Sequence, residues 1–388
     1  MILRVVEDKK CFGCGACVVA CPSNSLEMGI DEWGFLSPRL VGQCTQCELC
    51  EKVCPALYPS REDAKSYQVF AAFSLTPALR LWCSSGGVFT SLALEFMTQG
   101  GRVIGVAFGE DFRRVHHVMA EKIQDIFRFS GSKYIQSDPT SVLRSVQGLS
   151  EKFLFVGTPC QVAGVRRLIE CGVLRGDFTL IDFFCHGVPS YVLWDSYLNL
   201  LQKRVGRILH IEQRFKITDW HRFQCRVFGS RGVYCRGFEE DPFGFLYLQN
   251  YLLRESCYTC PYRGYHSFAD LRLGDFWGEL FSHDRLGTSL VVAFTEKGFQ
   301  ILVENKDVFL QSMPVEAVGA SKATSVSRPE DGELILAKFR QGMSMEKILQ
   351  RRFCLKRGKL KFRKVLFLLL RTSCVRAGYR ILRRVLRG

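Results

Sequence analysis

Two groups of four cysteines in this chain share one spacing, C-x2-C-x2-C-x3-C-P. The first group lies in CFGCGACVVACP and the second in CTQCELCEKVCP. In this pattern the first three thiolates bind one cubane cluster, and the fourth reaches the cluster of the other motif. Zinc knuckles also pair cysteines, but they do not need the duplicated triplet followed by proline. The spacing predicts two [4Fe–4S] clusters, held by Cys11, Cys14, Cys17 and Cys54 and by Cys44, Cys47, Cys50 and Cys21.

The doubled motif resembles the bacterial two-cluster ferredoxins over about residues 1 to 60. Gly13 and Gly15 stand between the ligands of the first motif, where a missing side chain lets backbone amides approach the cluster sulfides. We therefore predict a two-[4Fe–4S] ferredoxin-like domain at the N-terminus.

The cysteine content also bears on the compartment. The first ten residues, MILRVVEDKK, lack the apolar segment and the small-residue cleavage site of a secretion signal. In a reducing cytoplasm, closely spaced cysteines bind metal rather than form disulfides. We therefore expect a cytoplasmic protein and regard a disulfide-rich secreted protein as the weaker alternative.

A further cysteine site is indicated by CYTCP at residues 257–261, which supplies two thiols. Cys160 in GTPC and Cys185 in CHGVP each follow an apolar run that we predict to be a strand. Such strand ends are the places where α/β sheets carry their sites. The spacing alone leaves three alternatives open, namely a four-cysteine cluster cage, a structural zinc site or unpaired thiols.

Six other cysteines have no ligand spacing. Each is interpreted as a small buried hydrophobic residue, the commonest role of a free cysteine. They are Cys83, Cys171, Cys225, Cys235, Cys354 and Cys374.

The elements that must position these thiols alternate between predicted strands and helices. RVIGVAFG, FLFVG and FTLIDFF are strand-like, whereas SGGVFTSLALEFMTQGG and YVLWDSYLNLLQKRVG have helical patterns. The run 211–236 is interpreted as β-structure with a turn at FGSRGV, and DPFGFLYLQNYLLRES as a helix. No G-x-G-x-x-G motif, P-loop or nucleophile elbow is present, which argues against a Rossmann nicotinamide site.

From these elements we predict an α+β or α/β fold in three parts. A ferredoxin-like domain is expected at 1–60 and a larger mixed α/β domain, which binds the further cofactors, at 61–350. A basic helical tail is expected at 351–388.

The formal net charge of +15 is concentrated in that tail. Residues 351–388 contain 14 Lys and Arg and no Asp or Glu, so removing these charges leaves the first 350 residues at about +1. A nearly neutral body does not support a broad nucleic-acid-binding surface, and we expect no nucleic-acid partner.

The sequence of the tail indicates a helix that binds to a surface rather than one that spans a membrane. Only six consecutive residues, 365–370, are apolar, which is too few to cross a bilayer. Five arginines then recur at helical spacing, namely Arg376, Arg380, Arg383, Arg384 and Arg387. A helix with one cationic face is typical of peripheral contact with an anionic membrane. We hypothesise such contact from about Lys356 onward, with an acidic partner or the protein's own body as alternative surfaces.

Six segments, in this order, resemble the coenzyme F420 hydrogenase/dehydrogenase β-subunit family: SSGGVFTSLA, GSKYIQSD, GTPCQVAGVRRL, CHGVPS, CYTCPYRG and ADLRLGDFWG. The resemblance covers about residues 1 to 300. Members of that family are iron–sulfur flavoproteins, so the resemblance implies an FAD. It also implies a third [4Fe–4S] cluster, held by Cys160, Cys185, Cys257 and Cys260.

Given this resemblance, the SSGG segment supplies candidate contacts to the flavin pyrophosphate. Gly86 and Gly87 open a predicted helix, and the free amides of a helix N-terminus suit an anion. The hydroxyls of Ser84 and Ser85 stand beside them. A plain helix cap is the structural alternative.

Two more segments complete the candidate flavin site. Lys133 and Tyr134 offer a cation and a hydroxyl near the isoalloxazine, and we predict both to be catalytic and cofactor-binding. Thr158, in the loop of the third cysteine site, is expected to link the flavin to that cluster. His186 is interpreted either as a proton relay or as a structural histidine.

Together these features predict an iron–sulfur flavoprotein oxidoreductase. The expected partners are an electron-donor or acceptor protein, such as a ferredoxin or a hydrogenase-like subunit, and a small redox substrate. Coenzyme F420 is the substrate that the family name implies, although no residue distinguishes it from another organic acceptor. The alternative is an electron-transfer subunit without its own substrate, docked on a hydrogenase or another catalytic partner.

Overall fold

The computed structural model describes residues 2–59, 67–216, 219–321 and 326–355, with side chains for all of these except 320–321 and 351–355. The predicted tail from residue 356 onward therefore lies outside the described residues. Within the described ranges, no helix has both the length and the apolar character needed to cross a membrane.

The described chain is a mixture of short helices and strands. The strands are β1 (Leu26–Ile30), β2 (Leu36–Leu40), β3 (Gln68–Ser74), β4 (Arg102–Phe108), β5 (Val115–Met119), β6 (Ser137–Asp138), β7 (Lys152–Val156), β8 (Asp177–Phe183), β9 (Ile208–Phe215), β10 (Gln224–Gly229), β11 (Gly232–Gly237), β12 (Leu271–Asp275), β13 (Ser289–Ala293) and β14 (Val308–Met313). The α-helices are α1 (Leu3–Glu7), α2 (Ala16–Ala20), α3 (Leu49–Lys52), α4 (Pro77–Trp82), α5 (Val88–Thr98), α6 (Ile126–Phe129), α7 (Thr140–Ser145), α8 (Pro159–Glu170), α9 (Tyr191–Val205), α10 (Pro242–Leu248), α11 (Glu255–Tyr258), α12 (Glu296–Val303), α13 (Gly332–Arg340) and α14 (Met345–Leu355). Short 3₁₀ helices cover Ile123–Asp125, Trp220–Arg222, Glu279–Phe281 and Val315–Ser321.

Nine strands form one mixed sheet in the order β14-β3-β13-β12-β8-β7-β4-β5-β6. Its centre, β12-β8-β7-β4, is parallel, and antiparallel strands flank it. Adjacent parallel strands end at one edge of a sheet, where α/β folds place their sites. The segments that follow β7 and β8 carry Cys160 and Cys185, so this edge receives both thiols.

Helices cover both faces of the sheet. On β7, Phe153 and Phe155 pack against α8, whereas Leu154 points to the opposite face and packs with α5. Val19 of α2 joins the α8 side, so the N-terminal segment is packed onto the same core. A second core lies between α9 and the antiparallel sheet β9-β10-β11. The predicted ferredoxin-like segment and larger mixed α/β region are both present.

The two cysteine motifs adopt the same local geometry with different residues. In the first motif Gly13 and Gly15 have φ angles of 65° and 77°, and in the second Gln46 and Glu48 have 55° and 60°. The positive φ therefore does not by itself require glycine. A Cβ at Gly13 would overlap the side chain of Gln136, because the first motif packs against the large region. Close packing, in addition to access for the cluster, explains the glycines of the first motif.

The predicted helix over DPFGFLYLQNYLLRES is too long. Helix α10 ends at Leu248, and Asn250 and Leu252 then take φ angles of 62° and 57°. This turn brings Leu253 into a β-bridge with Pro189. The bridge joins the segment before CYTCP to the segment after CHG, which the uninterrupted helix would have kept apart.

Candidate functional site

The first predicted cluster set surrounds one cavity near the N-terminus. All four of its cysteines, Cys11, Cys14, Cys17 and Cys54, line that cavity. Burial raises the pKa of Cys14 to about 12, and the Cys54 thiolate adds to the effect. The amide of Gly13 donates to the Cys11 sulfur at 3.3 Å. Buried thiolates that repel one another need a cationic centre, so these residues fit a [4Fe–4S] cluster.

The second predicted set lies at the surface. Cys44 and Cys47 are exposed, whereas Cys50 and Cys21 pack beside one small apolar cluster. Burial raises the pKa of Cys50, and the thiolates of Cys47 and Cys44 raise it further. The amide of Gln46 donates to the Cys44 sulfur at 3.4 Å, as Gly13 does in the first motif. The donor set again fits an iron–sulfur cluster, here with direct access to solvent.

The third set is assembled from three places in the chain. Cys160 stands in the first turn of α8, where the positive end of the helix dipole stabilises a thiolate. Thr158 caps this helix, and its hydroxyl lies 3.2 Å from the Cys160 sulfur. Cys185 follows β8, and the CxxC pair comes from α11 and the residues after it. The turn after α10 brings the segment that carries Cys257 and Cys260 towards the segment that carries Cys185.

The four thiols of the third set lie close enough to influence one another's pKa values. Burial raises the pKa of Cys160 well above its usual value, and Cys260 and Cys185 raise it further. Burial also raises the pKa of Cys185 to about 12, with Cys257 and Cys260 adding to it. Across the described residues, no three or more His, Cys, Asp or Glu side chains are arranged to hold a single metal ion. Four neighbouring soft thiolates are the donor set of a [4Fe–4S] cluster.

The remaining cysteines match the prediction only in part. Cys83 and Cys225 are buried as expected, but Cys171 is half-buried and Cys235 is exposed. Cys235 lies on β11, where the buried Tyr234 takes the inward position and alternation turns the next side chain outward. Its thiol donates to the side chain of Gln224 at 2.8 Å. Cys354 and Cys374 lie outside the described side chains.

The SSGG segment forms the turn that opens α5. Gly87 has a φ of 84°, and α5 begins without a side-chain cap. The amide of Gly86 already donates to the Ser289 hydroxyl at 3.0 Å. Ser84 accepts a hydrogen bond from the amide of Ser132 at 2.7 Å. The structure thus places the SSGG turn against the GSKY segment. Fewer backbone amides of the turn are free to bind a pyrophosphate than the sequence predicted, because the amide of Gly86 is already hydrogen-bonded.

Lys133 and Tyr134 point in different directions. The Lys133 ammonium donates to three carbonyl oxygens of its own loop, those of Phe129, Ser130 and Gly131. Burial lowers the pKa of Lys133 to about 7, and the nearby Arg128 guanidinium lowers it further. Burial raises the pKa of Tyr134 above its usual value.

Ring contacts connect Tyr134 of the GSKY segment with residues beside the third cysteine set. Its ring lies 5.0 Å from that of Tyr247, which in turn lies 4.9 Å from the His186 ring. Tyr247 donates its hydroxyl hydrogen to the carbonyl of Gly187. Burial, followed by the positive charge of Arg263, lowers the pKa of His186, which adjoins Cys185. The candidate flavin segment and the third set are therefore joined by aromatic side chains.

Comparisons with known proteins relate two segments of this chain to known families. Residues 150–315 match the family model for the C terminus of the coenzyme F420 hydrogenase/dehydrogenase beta subunit. The family resemblance is confirmed. Residues 10–57 match the model "4Fe-4S dicluster domain", which covers both N-terminal cysteine motifs. The matches thus indicate an iron–sulfur segment at the N-terminus and a larger segment related to F420-linked oxidoreductases.

Individual relatives cover parts of the chain. A coenzyme F420-dependent sulfite reductase of Methanocaldococcus jannaschii is 25% identical over 168 residues, which are 42% of this chain and 26% of that protein. An uncharacterized ferredoxin of the same organism is 37% identical over 51 residues, 13% of this chain and 66% of the ferredoxin. A chain of the F420-reducing [NiFe] hydrogenase complex of Methanosarcina barkeri aligns with a TM-score of 0.44 at 19% identity, covering 74% of this chain and 91% of that one.

Arg263 is a positioning residue of the family domain that the sequence did not single out. Its guanidinium donates to the carbonyl oxygens of Cys185, His186 and Cys257. One side chain thus ties the CHG segment to the CxxC segment. The arginine follows the CxxC motif by three residues, in CYTCPYR, and this spacing is the only signal in the sequence.

A buried ion pair holds the loop that follows the CxxC motif. Arg272 on β12 donates to both carboxylate oxygens of Asp182 on β8, at 2.7 and 2.6 Å. The guanidinium also donates to the carbonyls of Tyr262, Gly264 and His266. Because the pair is fully buried and bidentate, it fixes the loop after the CxxC motif relative to the sheet.

A group of cations near the SSGG turn was also missed. Lys216 is buried and donates to the carbonyls of Arg80, Ser85 and Leu286. Arg214 pairs with Asp275 at 2.6 Å. Nitrogens Nε and Nη2 of Arg214 are buried without a hydrogen-bond partner among the described residues. Arg214 and Lys216 stand in RFK, which resembles the end of an ordinary strand. The sequence therefore contains no sign that the two cations lie near the SSGG turn.

Proposed function

We propose that this chain is an iron–sulfur flavoprotein oxidoreductase that passes electrons through three [4Fe–4S] clusters to or from FAD. One observation carries the proposal. A Cβ at Gly164, one turn along α8 from Cys160, would lie 3.1 Å from the sulfur of Cys14 in the first set, while the second set reaches the surface through Cys44 and Cys47. On this proposal the three sets carry electrons between solvent and the large region.

The chemistry comes from the cofactors when bound, since clusters carry single electrons and a flavin exchanges a hydride. The chain supplies position and electrostatics. Exposed Cys44 and Cys47 give an external donor access, whereas Cys160 and Cys185 are half-buried and so less open to solvent. A dry site strengthens the electrostatic and hydrogen-bonding control of a redox centre.

For FAD, we propose that the SSGG turn and the cations around it hold the anionic groups. Arg214 has unpartnered buried donors and lies close enough to lower the pKa of Tyr134, although burial raises it more. Lys216 organises the carbonyls behind the turn, and Lys133 adds a second ammonium. Ser84 connects the turn to GSKY through Ser132.

Coenzyme F420 or another organic acceptor is the proposed hydride partner. Support comes from the family match over residues 150–315 and from the F420-dependent activity for which the archaeal sulfite reductase relative is named. The matched segment spans only about a quarter of that relative's length, so the remainder of its activity is not carried over.

The test is cofactor analysis followed by reduction. Anaerobically purified chain is expected to contain about twelve irons, since three cubanes hold four each, and one non-covalent FAD. Reduced coenzyme F420 should then bleach the flavin absorbance of the isolated chain. About eight irons would remove the third cluster from the proposal, and absence of FAD would remove the flavin.

The second candidate is an electron-transfer subunit that docks on a hydrogenase-like or other catalytic partner. The exposed second set favours it, because Leu40 and Val41 beside that set are also exposed, at 43% and 52%. Turnover by the isolated chain would exclude this alternative. Flavin reduction that appears only after a catalytic partner is added would support it.

The organisation of the whole chain is part of the same proposal. We infer a ferredoxin-like domain at 1–60, the large cofactor domain at 61–350 and the basic tail at 351–388. A cytoplasmic location, with peripheral membrane contact through the tail, follows from the cluster chemistry and the charge pattern. Protease fragments that separate at these bounds would support the division.

A further inference from the structure

Tyr262 lies between the first and third cysteine sets. The residue is almost fully buried, at 2% exposure. Burial raises its pKa, and four thiolates raise it further, two from each set: Cys160, Cys14, Cys260 and Cys54. The packing agrees, because Tyr262 belongs to the hydrophobic cluster against which Cys14 of the first set and Cys160 and Cys260 of the third set pack.

Tyr262 is close to a ligand of each set in a different way. It follows Cys260 of the third set by two residues, with only Pro261 between them. At the other end, the Tyr262 hydroxyl donates to the carbonyl of Pro55 at 2.7 Å. Pro55 directly follows Cys54. The path from Cys260 to Cys54 thus follows the chain to Tyr262, crosses one hydrogen bond to Pro55 and continues to Cys54.

The surrounding structure holds the ring in place. Phe12, between two ligands of the first set, packs edge-on against it at 5.6 Å. The backbone carbonyl of Tyr262 accepts from the buried Arg272 at 3.2 Å. Because its ring is packed and its hydroxyl is hydrogen-bonded, the Tyr262 side chain is held in one position. An electron path between two fixed clusters requires such a fixed side chain.

We propose that Tyr262 is the positioning residue through which electrons pass between the first and third clusters. The inference rests on the proposed function, since it needs both clusters. In each step one electron leaves one cluster and arrives at the other. Tyr262 gains and loses no electron or proton, and no bond is made or broken.

Helix α8 provides the competing path. A Cβ at Gly164 would lie 3.1 Å from the Cys14 sulfur, and Gly164 is one turn along α8 from Cys160. This route contains no aromatic ring and does not involve Tyr262. Variants of the tyrosine therefore distinguish the two routes.

Two substitutions separate the hydroxyl from the ring. Tyr262→Phe removes the hydrogen bond to Pro55, and Tyr262→Leu removes the ring as well. Tyr258→Phe is the matched control, because it removes a hydroxyl from the same CYTC motif that donates to the carbonyl of Asn250 at 2.8 Å. Each variant keeps the backbone of residue 262 and every cysteine ligand, so the potential of the third cluster should not change.

The experiment uses the full holo-chain and a reduced bacterial two-cluster ferredoxin as electron donor. Rapid-freeze electron paramagnetic resonance follows reduction of the third cluster, whose signal is identified by its loss in Cys160→Ala. We expect the third cluster to be reduced severalfold more slowly in Tyr262→Phe than in the wild type, and more slowly still in Tyr262→Leu. Iron content, cluster midpoint potentials and the Tyr258→Phe rate should equal those of the wild type.

Wild-type rates in Tyr262→Leu would overturn the proposal and assign the path to α8. Loss of four irons from Tyr262→Phe would also overturn it, because the hydroxyl would then be a structural requirement of the third cluster. Failure of the proposed function gives a different result, since the wild-type chain itself would show no third-cluster signal.

Discussion

At the scale of single residues, each third-set thiol depends on neighbours that no spacing rule identifies. Cys160 needs the cap of α8, and Cys185 needs the carbonyl contacts of Arg263 to face the CxxC pair. Arg263 and Arg272 are therefore as much a part of the site as the ligands they hold. Similar support is common around metal ligands, where outer contacts orient the inner ones.

Replacing one ligand tests the assignment of the third set. Cys160→Ala or Cys257→Ala should lower the iron content from about twelve to about eight per chain, since one cubane of four irons is lost. The measurement is iron per chain after anaerobic purification. Cys235→Ala is the control, because that thiol is exposed, and it should keep every iron. Loss of iron from the control alone would mean that the ligands are misassigned.

Lys133 gives a prediction about pH. Because burial lowers its pKa to about 7, the free protein carries the Lys133 charge below that pH and loses it as the pH rises through it. An ammonium attracts the anionic groups of FAD only while protonated. Lys133→Ala should therefore weaken FAD binding several-fold below this pH and have little effect well above it.

The control for this titration is Lys122→Ala, which removes an exposed ammonium from the same region of the chain. Binding of FAD to the apo-protein, followed by fluorescence quenching, measures both variants. An equal loss of affinity on both sides of the Lys133 pKa would contradict the electrostatic role. An unchanged affinity at every pH would remove Lys133 from the site.

At the scale of elements, the two cysteine loops differ in what they touch. The first is packed against the large region, where Arg254 donates to the carbonyls of Cys11 and Leu36 and to Gln136. The second loop is exposed from Leu40 to Glu48. One duplicated motif has thus become an inner and an outer site through packing alone.

This difference predicts opposite responses to loop substitutions. Gly13→Ala should lower the free energy of unfolding by about 2 kcal/mol or more, because a left-handed φ and overlap with Gln136 act together. Gln46→Gly should change it little or raise it, since the same φ of 55° is less costly for glycine. Denaturant unfolding of the holo-protein under anaerobic conditions measures both. Equal destabilisation would contradict the packing argument.

At the scale of the whole molecule, charge is distributed unequally. The body to residue 350 carries about +1, whereas the last 38 residues carry 14 positive charges and no acidic side chain. Each basic residue close to an anionic bilayer contributes about 1 kcal/mol, so the tail provides enough attraction for reversible attachment. Screening by salt should weaken that attraction.

Flotation with phosphatidylglycerol liposomes tests the tail. The full chain should float at low salt, and a chain that ends at Gln350 should stay at the bottom of the gradient. Neutral phosphatidylcholine liposomes are the control, and they should retain neither. Equal flotation of the two chains on anionic liposomes would contradict membrane contact and leave an acidic partner or the protein body as the surface.

The sequence by itself determined the features that depend on local spacing. The C-x2-C-x2-C-x3-C-P repeats predicted both N-terminal sets, because ligands two or three residues apart are brought together by one short loop. Helix α5 and the β9-β10-β11 sheet were likewise predicted from periodicity and turn residues, which act over a few residues. The family match over 150–315 confirmed the resemblance that the ordered motifs had indicated, and it covers the four motifs from GTPCQVAGVRRL onward.

Only the tertiary structure decided features that join distant segments. Arg263, Arg272 and Tyr262 act through carbonyl oxygens and ring contacts, which the order of side chains leaves unspecified. The helix after Asp241 ended early because burial and the bridge between Leu253 and Pro189 override a local helical pattern. The relation between the first and third cysteine sets also belongs to this level, since Cys14 and Cys160 are far apart in the chain and pack against one hydrophobic cluster that joins α2 to α8.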